Sequence, residues 1–203
     1  MIKKISICVL TILSFIVSIY FYAANFTFDE ARYGPSEVIL YVIPFTMVMV
    51  NSNLFILPKL IKQQGSYSRF INGLENIFLS LSMILFMLHS GLLLVSTGTE
   101  VNLLLLIPIS VGIVLITTAN TLPRFQLELD GNSSPLTKST SHVWNVVVRP
   151  FSFPLFVGGT LMLFSVFLPG ALMLIGFFTI LLCTLFASIF RAYRAYQTHV
   201  NDI

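Results

Sequence analysis

Charge is what this chain has least of. Only 9% of its residues are Asp, Glu, Lys or Arg, whereas about a quarter are charged in an ordinary soluble domain. Five stretches hold none at all: 5–28, 38–58, 76–99, 101–123 and 150–190. Cysteine is almost missing too, with two residues. Both Cys8 and Cys183 fall inside charge-free runs, which excludes a disulfide framework and a CxxC motif and reads as small apolar packing. Three histidines without HExxH spacing or clustered ligands point to no metal. No aspartate lies inside a charge-free run, no glycine-rich phosphate loop occurs, and a haem-ligating histidine pair is missing. The expectation is no enzyme, no catalytic residue, no cofactor and no metal.

What the chain does have is hydrophobic length. A helix needs about 20 apolar residues to cross about 30 Å of hydrocarbon. Four of the runs are 21–24 residues long and the fifth is 41, with Pro169-Gly170 near its middle as a turn signal. The prediction is an all-α membrane protein with six transmembrane helices in one domain, 1–203. The spans fall at about 5–24, 38–57, 76–96, 101–121, 150–168 and 171–190, with a long inner loop at 122–149. Met1-Ile-Lys-Lys before the first run resembles a signal peptide. The run exceeds the about 7–15 residues of a signal core, however, and reads as an uncleaved span.

The charges that remain set an orientation. With the amino terminus inside, Lys3, Lys4, Lys59, Lys62, Arg69, Arg124, Lys138, Arg149, Arg191 and Arg194 all fall on the inner side, and only Arg32 falls outside. This asymmetry predicts that both termini are cytoplasmic. It also assigns the net charge of +3 to topology and lipid headgroups, with no nucleic-acid partner. Asp29, Glu30, Glu37 and Glu100 lie outside, where they would attract a cationic peptide.

Few polar residues sit at membrane depth. His89 is the only histidine within a span. It should face the bundle interior and hydrogen-bond a neighbour, with Asn51, Asn53, Thr117, Thr118 and Asn120 as possible partners. Gly91 and Gly158-Gly159 read as sites of close helix packing. Within the inner loop, residues 124–130 alternate polar and apolar with a strand-like period of two. Ser139, Thr140 and Ser141 offer caps for a short helix through Val148, and Pro150 limits its continuation. Trp144, the only tryptophan, suits the headgroup belt.

From about Gly98 onward the chain resembles the Sdp-type immunity proteins (the SdpI-like family), small bacterial membrane proteins that protect a toxin producer. The resemblance rests on Gly98, Thr99, Glu100, Val101 and Asn102, then Val111, Gly112 and Ile113, and Asn120. Gly131, Pro135, Thr137 and Trp144 follow. The first half is similar mainly in layout, through Pro58-Lys59 and 67–70. The family's loop usually runs Gly-x-Arg-Thr-Pro-Trp-Thr-Leu. Here Ser133 stands in place of the Arg and Leu136 in place of the first Trp, which removes a guanidinium fork and an interfacial ring.

The resemblance implies a multi-pass protein of a bacterial plasma membrane that confers immunity or resistance. It would act by binding a membrane-active peptide toxin on the outer face or by shielding the toxin's target. Glu100, Asn102, Asn120, Gly131, Pro135, Thr137 and Trp144 are the candidate binding residues that it implies. His89, Asn51 and Asn53 are the intramembrane polar candidates. Two other readings stay open: a membrane-bound signalling subunit that holds a cytoplasmic regulatory protein, and a small transporter subunit. Membrane lipids are partners in every case.

Overall fold

The computed structural model describes residues 2–60, 67–124 and 135–201, and their side chains at 2–56, 71–123 and 146–198. The described residues are mostly helical and include no strand. The order is α1 (Ile2–Ala23), a short α2 (Glu30–Tyr33), α3 (Ser36–Leu60), α4 (Tyr67–Ser96), a 3-10 turn (Leu103–Leu105), α5 (Leu106–Thr121), a second 3-10 turn (Leu122–Arg124), α6 (Pro135–Ser165) and α7 (Ala171–Asn201). Six of these are long and apolar enough to cross a membrane, over Ile2–Ala23, Ser36–Ile56, Ile71–Ser96, Leu103–Thr121, Val146–Ser165 and Ala171–Thr198. Large apolar side chains stand on their surfaces, such as Met49 at 73% and Phe186 at 71% exposed. Such faces need hydrocarbon around them, as in a multi-pass membrane protein.

The chain forms two compact units. The first contains residues 1–60 and 78–107, and so holds α1, α2, α3 and most of α4. The second contains 61–77 and 108–203 and holds the start of α4, with α5, α6 and α7.

In the first unit, local chemistry ends the helices. At the end of α1, Asn25 takes a left-handed φ of 52°. Phe26 N–H then reaches Phe21 O at 3.4 Å, and Asn25 N–H reaches Tyr22 O at 3.1 Å. This is a Schellman stop, and the apolar contact that goes with it is Phe21 against Phe26, with ring centroids 4.8 Å apart. Gly98, at φ 85°, ends α4 in the same way, with Thr99 N–H to Leu94 O at 3.0 Å and Gly98 N–H to Val95 O at 3.1 Å. Asp29 N–H donates to Ser96 O at 2.9 Å, tying the α1–α3 connector to the end of α4. Above this joint Ile39, Leu40 and Leu93 form a buried cluster, with Val17, Phe21 and Phe28 packed against it.

The second unit packs through glycine. A Cβ on Gly159 would stand 2.8 Å from Gly112 O, and one on Gly112 would stand 2.9 Å from Gly159 O. α5 and α6 therefore touch backbone to backbone. The adjacent Gly158 faces α7 instead, against Thr184. Leu115, Ala119, Leu155, Met162 and Phe177 make the buried apolar core of this unit. Pro169-Gly170 forms the turn between α6 and α7, with Gly170 at φ 55°. The close packing expected at Gly158-Gly159 and at Gly91, whose Cβ would meet Leu103 at 3.1 Å, is present.

Several expectations need correction. α6 begins at Pro135, inside the stretch read as a connecting loop, and continues through both Pro150 and Pro154. Proline suits the first helical position, where its missing N–H would have no acceptor. Inside a membrane span a proline removes one hydrogen bond but need not end the helix. α4 begins at Tyr67, nine residues before the span expected at 76–96, so Glu75 lies in a helix and is buried. Cys8 and Cys183 are exposed on their helices and are not packing residues. The strand-like stretch at 124–130 lies, beyond Arg124, outside the described residues.

Candidate functional site

The first unit buries a connected set of polar side chains between α1, α3 and α4. On α1, Thr11, Ser14 and Ser18 recur at intervals of three and four and so share one helical face. Ser14 and Ser18 are fully buried. On α4, Ser82 and His89 stand two turns apart, and both are buried. On α3, Asn51 is 7% exposed, and Leu40, eleven residues earlier, contributes its carbonyl. These groups meet at two levels.

At one level Asn51 bridges the other two helices. Ser82 Oγ donates to Asn51 Oδ1 at 3.0 Å. Asn51 Nδ2 donates to Thr11 Oγ1 at 2.9 Å, and Thr11 Oγ1 donates to Ile7 O at 2.9 Å. All the donors point one way, so each bond polarises the next. The chain ends on a backbone carbonyl, and the Asn51 carbonyl and amide both have partners.

The second level centres on Ser18. Its Oγ lies 2.6 Å from Leu40 O, 3.0 Å from Ser14 O and 2.9 Å from His89 Nε2. A hydroxyl carries one proton. With that proton on Leu40 O, the shortest contact, His89 donates through Nε2–H to the Ser18 oxygen. Leu40 O needs this donor. Its helical partner would be the N–H of residue 44, which is the fully buried Pro44. His89 is itself fully buried, and its Nδ1 has no partner among the described residues.

The two levels fix the direction of the three helices. α1 runs from 11 to 18 and α4 from 82 to 89, while α3 runs from 51 to 40, antiparallel to both. Thr11-to-Ser18 and Ser82-to-His89 each span seven residues, about 10.5 Å of helix.

A serine hydroxyl 2.9 Å from an imidazole has the contact of a nucleophile and its base. Here the hydroxyl proton goes to Leu40 O, the imidazole donates to the hydroxyl oxygen rather than taking its proton, and both residues are fully buried. The arrangement binds helix to helix.

The other sequence candidates are dispersed. Asn53, two residues from Asn51, is exposed, and among the described residues it bonds Met49 O and Val50 O of its own helix, at 3.0 and 3.2 Å. Glu100 is exposed in the turn after α4. Asn102 caps the 3-10 turn by accepting from Leu104 N–H at 3.1 Å. Asn120 is exposed in the last turn of α5. Pro135, Thr137 and Trp144 lie on the first part of α6. Gly131 lies outside the described residues. The expected histidine contact exists, but the bond goes to Ser18, which the sequence did not nominate. The available signal was the three- and four-residue spacing of Thr11, Ser14 and Ser18.

Asp29, Glu30, Glu37 and Glu100 are exposed at the end of the first unit where Asp29 joins Ser96. Glu30 is also structural. Its Oε1 accepts from Ser36 N–H at 3.1 Å, at the start of α3. Hydrogen bonding from the Ser36 side chain, then its backbone, lowers the Glu30 pKa below the ordinary value for a glutamate. Among the described residues no group of three or more His, Cys, Asp or Glu is placed to hold a metal ion.

No known family model, no curated protein and no solved structure matches this chain.

Proposed function

We propose that this chain is an immunity or resistance protein of a bacterial plasma membrane, acting by recognition rather than turnover. It would bind a membrane-active peptide toxin or shield that toxin's target. The observation that carries this reading is the division of polar groups in the first unit. Those between the helices bond one another, while four carboxylates stand exposed at one end. That end is suited to a cationic peptide, and opposite charge speeds such an encounter. The resemblance of the 98–144 stretch to the SdpI-like family supports the same class of function.

The orientation belongs to this proposal. Ten of the eleven basic residues fall on one side of a six-span layout, which favours cytoplasmic termini and places the acidic end outside. Reporter fusions at each terminus test the topology. Expression in a sensitive bacterium, challenged with a panel of cationic membrane-active peptides, tests the function. The expected result is survival of at least one peptide, with protection weakened by Glu37→Gln combined with Glu100→Gln. Unchanged killing across the panel by a protein shown to be in the membrane would overturn the reading.

A further inference from the structure

α3 carries the same rhythm on two opposite faces. Leu40, Pro44, Met47, Asn51 and Leu54 are buried, and they recur in steps of four, three, four and three. Val42, Thr46, Met49, Asn53 and Ile56 repeat those steps two residues later, and all five are exposed. Two residues turn a helix by about 200°, so the second row lies opposite the first. Alternating steps of three and four mark the seam along which one helix winds around another. The first row is used within the chain, where Leu40 and Asn51 meet α1 and Asn51 also meets α4. The second row faces away from that packing.

Each row has an asparagine at its fourth position. Asn51 joins three helices. Asn53 lies within the span Ser36–Ile56 and in the charge-free stretch 38–58. Its Nδ2 donates back to Met49 O and Val50 O, while its Oδ1 receives no donor among the described residues. Met49 O is already served by Ser52 Oγ at 2.7 Å, so turning the Asn53 amide outward strands nothing there. Thr46, in the same row, satisfies its hydroxyl proton on Val42 O at 2.7 Å. An amide has more to satisfy, with two donor hydrogens and a two-lone-pair acceptor. Hydrocarbon offers its carbonyl no donor.

We propose that the exposed row of α3 is the docking surface for a second copy of this chain, forming a parallel homodimer in which the two Asn53 amides bond each other. The chemistry of the amide selects this occupant. In a two-fold pair each Asn53 meets its own image, and Nδ2–H of one copy donates to Oδ1 of the other. Copies inserted the same way run parallel, the arrangement in which a lone asparagine in such a seam fixes the register. The row contains no charged residue, so like copies bring no repulsion to it. Val42, Thr46, Met49 and Ile56 pack the rest of the seam. The pairing does not depend on any toxin.

The test is Förster transfer between donor- and acceptor-labelled full chains in liposomes, followed as the ratio of protein to lipid is varied. The wild type should approach a dimer, and Asn53→Ala should weaken association by about tenfold. Asn53→Gln, which keeps an amide, should recover part of the loss. In dilute micelles, where the chain is monomeric, Asn53→Ala should keep the wild-type helical content and unfolding midpoint. In a Cys8→Ala, Cys183→Ala background, Met49→Cys should cross-link to its own copy under mild oxidation, and Val48→Cys, one residue off the row, should not. A monomer at every ratio would overturn the proposal. So would an Asn53→Ala variant that associates as well as wild type, or equal cross-linking of the two cysteine variants.

Discussion

Ser18 on α1 and Leu40 on α3 are joined by a hydrogen bond of 2.6 Å, and the acceptor is the carbonyl that Pro44 leaves without its helical donor. A defect in one helix is thus answered by a side chain from another. The same proline that weakens α3 internally supplies its attachment to α1, which is how membrane helices commonly tolerate proline.

This relation predicts a coupling. Ser18→Ala should cost about 1–2 kcal/mol, since Leu40 O and His89 Nε2 lose their partner together. Pro44→Ala restores an amide hydrogen to α3 and gives Leu40 O a helical donor. The cost of Ser18→Ala should therefore be smaller in the Pro44→Ala background. Unfolding in detergent micelles measures all four corners of the cycle, and equal costs in both backgrounds would disprove the link.

The Ser18–His89 contact should behave asymmetrically. When His89 is removed, Ser18 still donates to Leu40 O, and an unpartnered Nδ1 disappears. His89→Leu is expected to stay within about 1 kcal/mol of wild type and to be milder than Ser18→Ala. Thermal unfolding of the two variants side by side decides this.

Two neighbouring asparagines should differ. Asn51→Ala leaves Ser82 without its acceptor and takes a donor from Thr11, and should lower stability by about 1 kcal/mol. Asn53→Ala loses only contacts to its own helix at an exposed position and should leave the midpoint of unfolding near wild type. A reversed order would show that the bridge carries no energy.

Glycine positions in the second unit should separate by what faces them. At Gly159 a Cβ would stand 2.8 Å from Gly112 O and 3.0 Å from Ile116 N, neither of which can move without its helix. Gly159→Ala is expected to cost about 1–3 kcal/mol. At Gly176 the obstacle among the described residues is Leu168 Cδ1 at 3.0 Å, the end of a flexible side chain, and Gly176→Ala should be tolerated. Melting temperatures of the two variants test the distinction.

Glu30 should give a small acid dependence. Its pKa is lower in the folded chain than when unfolded, through the hydrogen bonds from Ser36. Its contribution is therefore present above the ordinary glutamate range and is lost as the pH falls through the lowered value. Glu30→Gln should remove that part of the acid limb, and unfolding midpoints measured against pH would reveal it.

The sequence made some of this plain. Runs without charge marked all six long helices because a charge in hydrocarbon is costly at every position. Pro169-Gly170 marked its turn because few other pairs suit a reversal. The extent of α6 was hidden, since Pro150 reads as a stop under rules taken from water, where a lost backbone bond favours breaking the helix. The partner of His89 was hidden for a different reason. Ser18 lies 71 residues away, and one serine in an apolar run carries no mark of what it will face. The burial of Glu75 was equally hidden, because a carboxylate at the edge of a run looks like its end.

The proton of Ser18 has a second place to go. Ser14 O, on its own helix, lies only 0.4 Å farther off than Leu40 O, by the difference between 3.0 and 2.6 Å. Turning one side-chain torsion returns the hydroxyl to α1 and releases α3 without stranding the donor. Parting these two helices at that point therefore forfeits a single acceptor, and the seam between them yields more easily there than at Asn51, where separation breaks a relay through three helices.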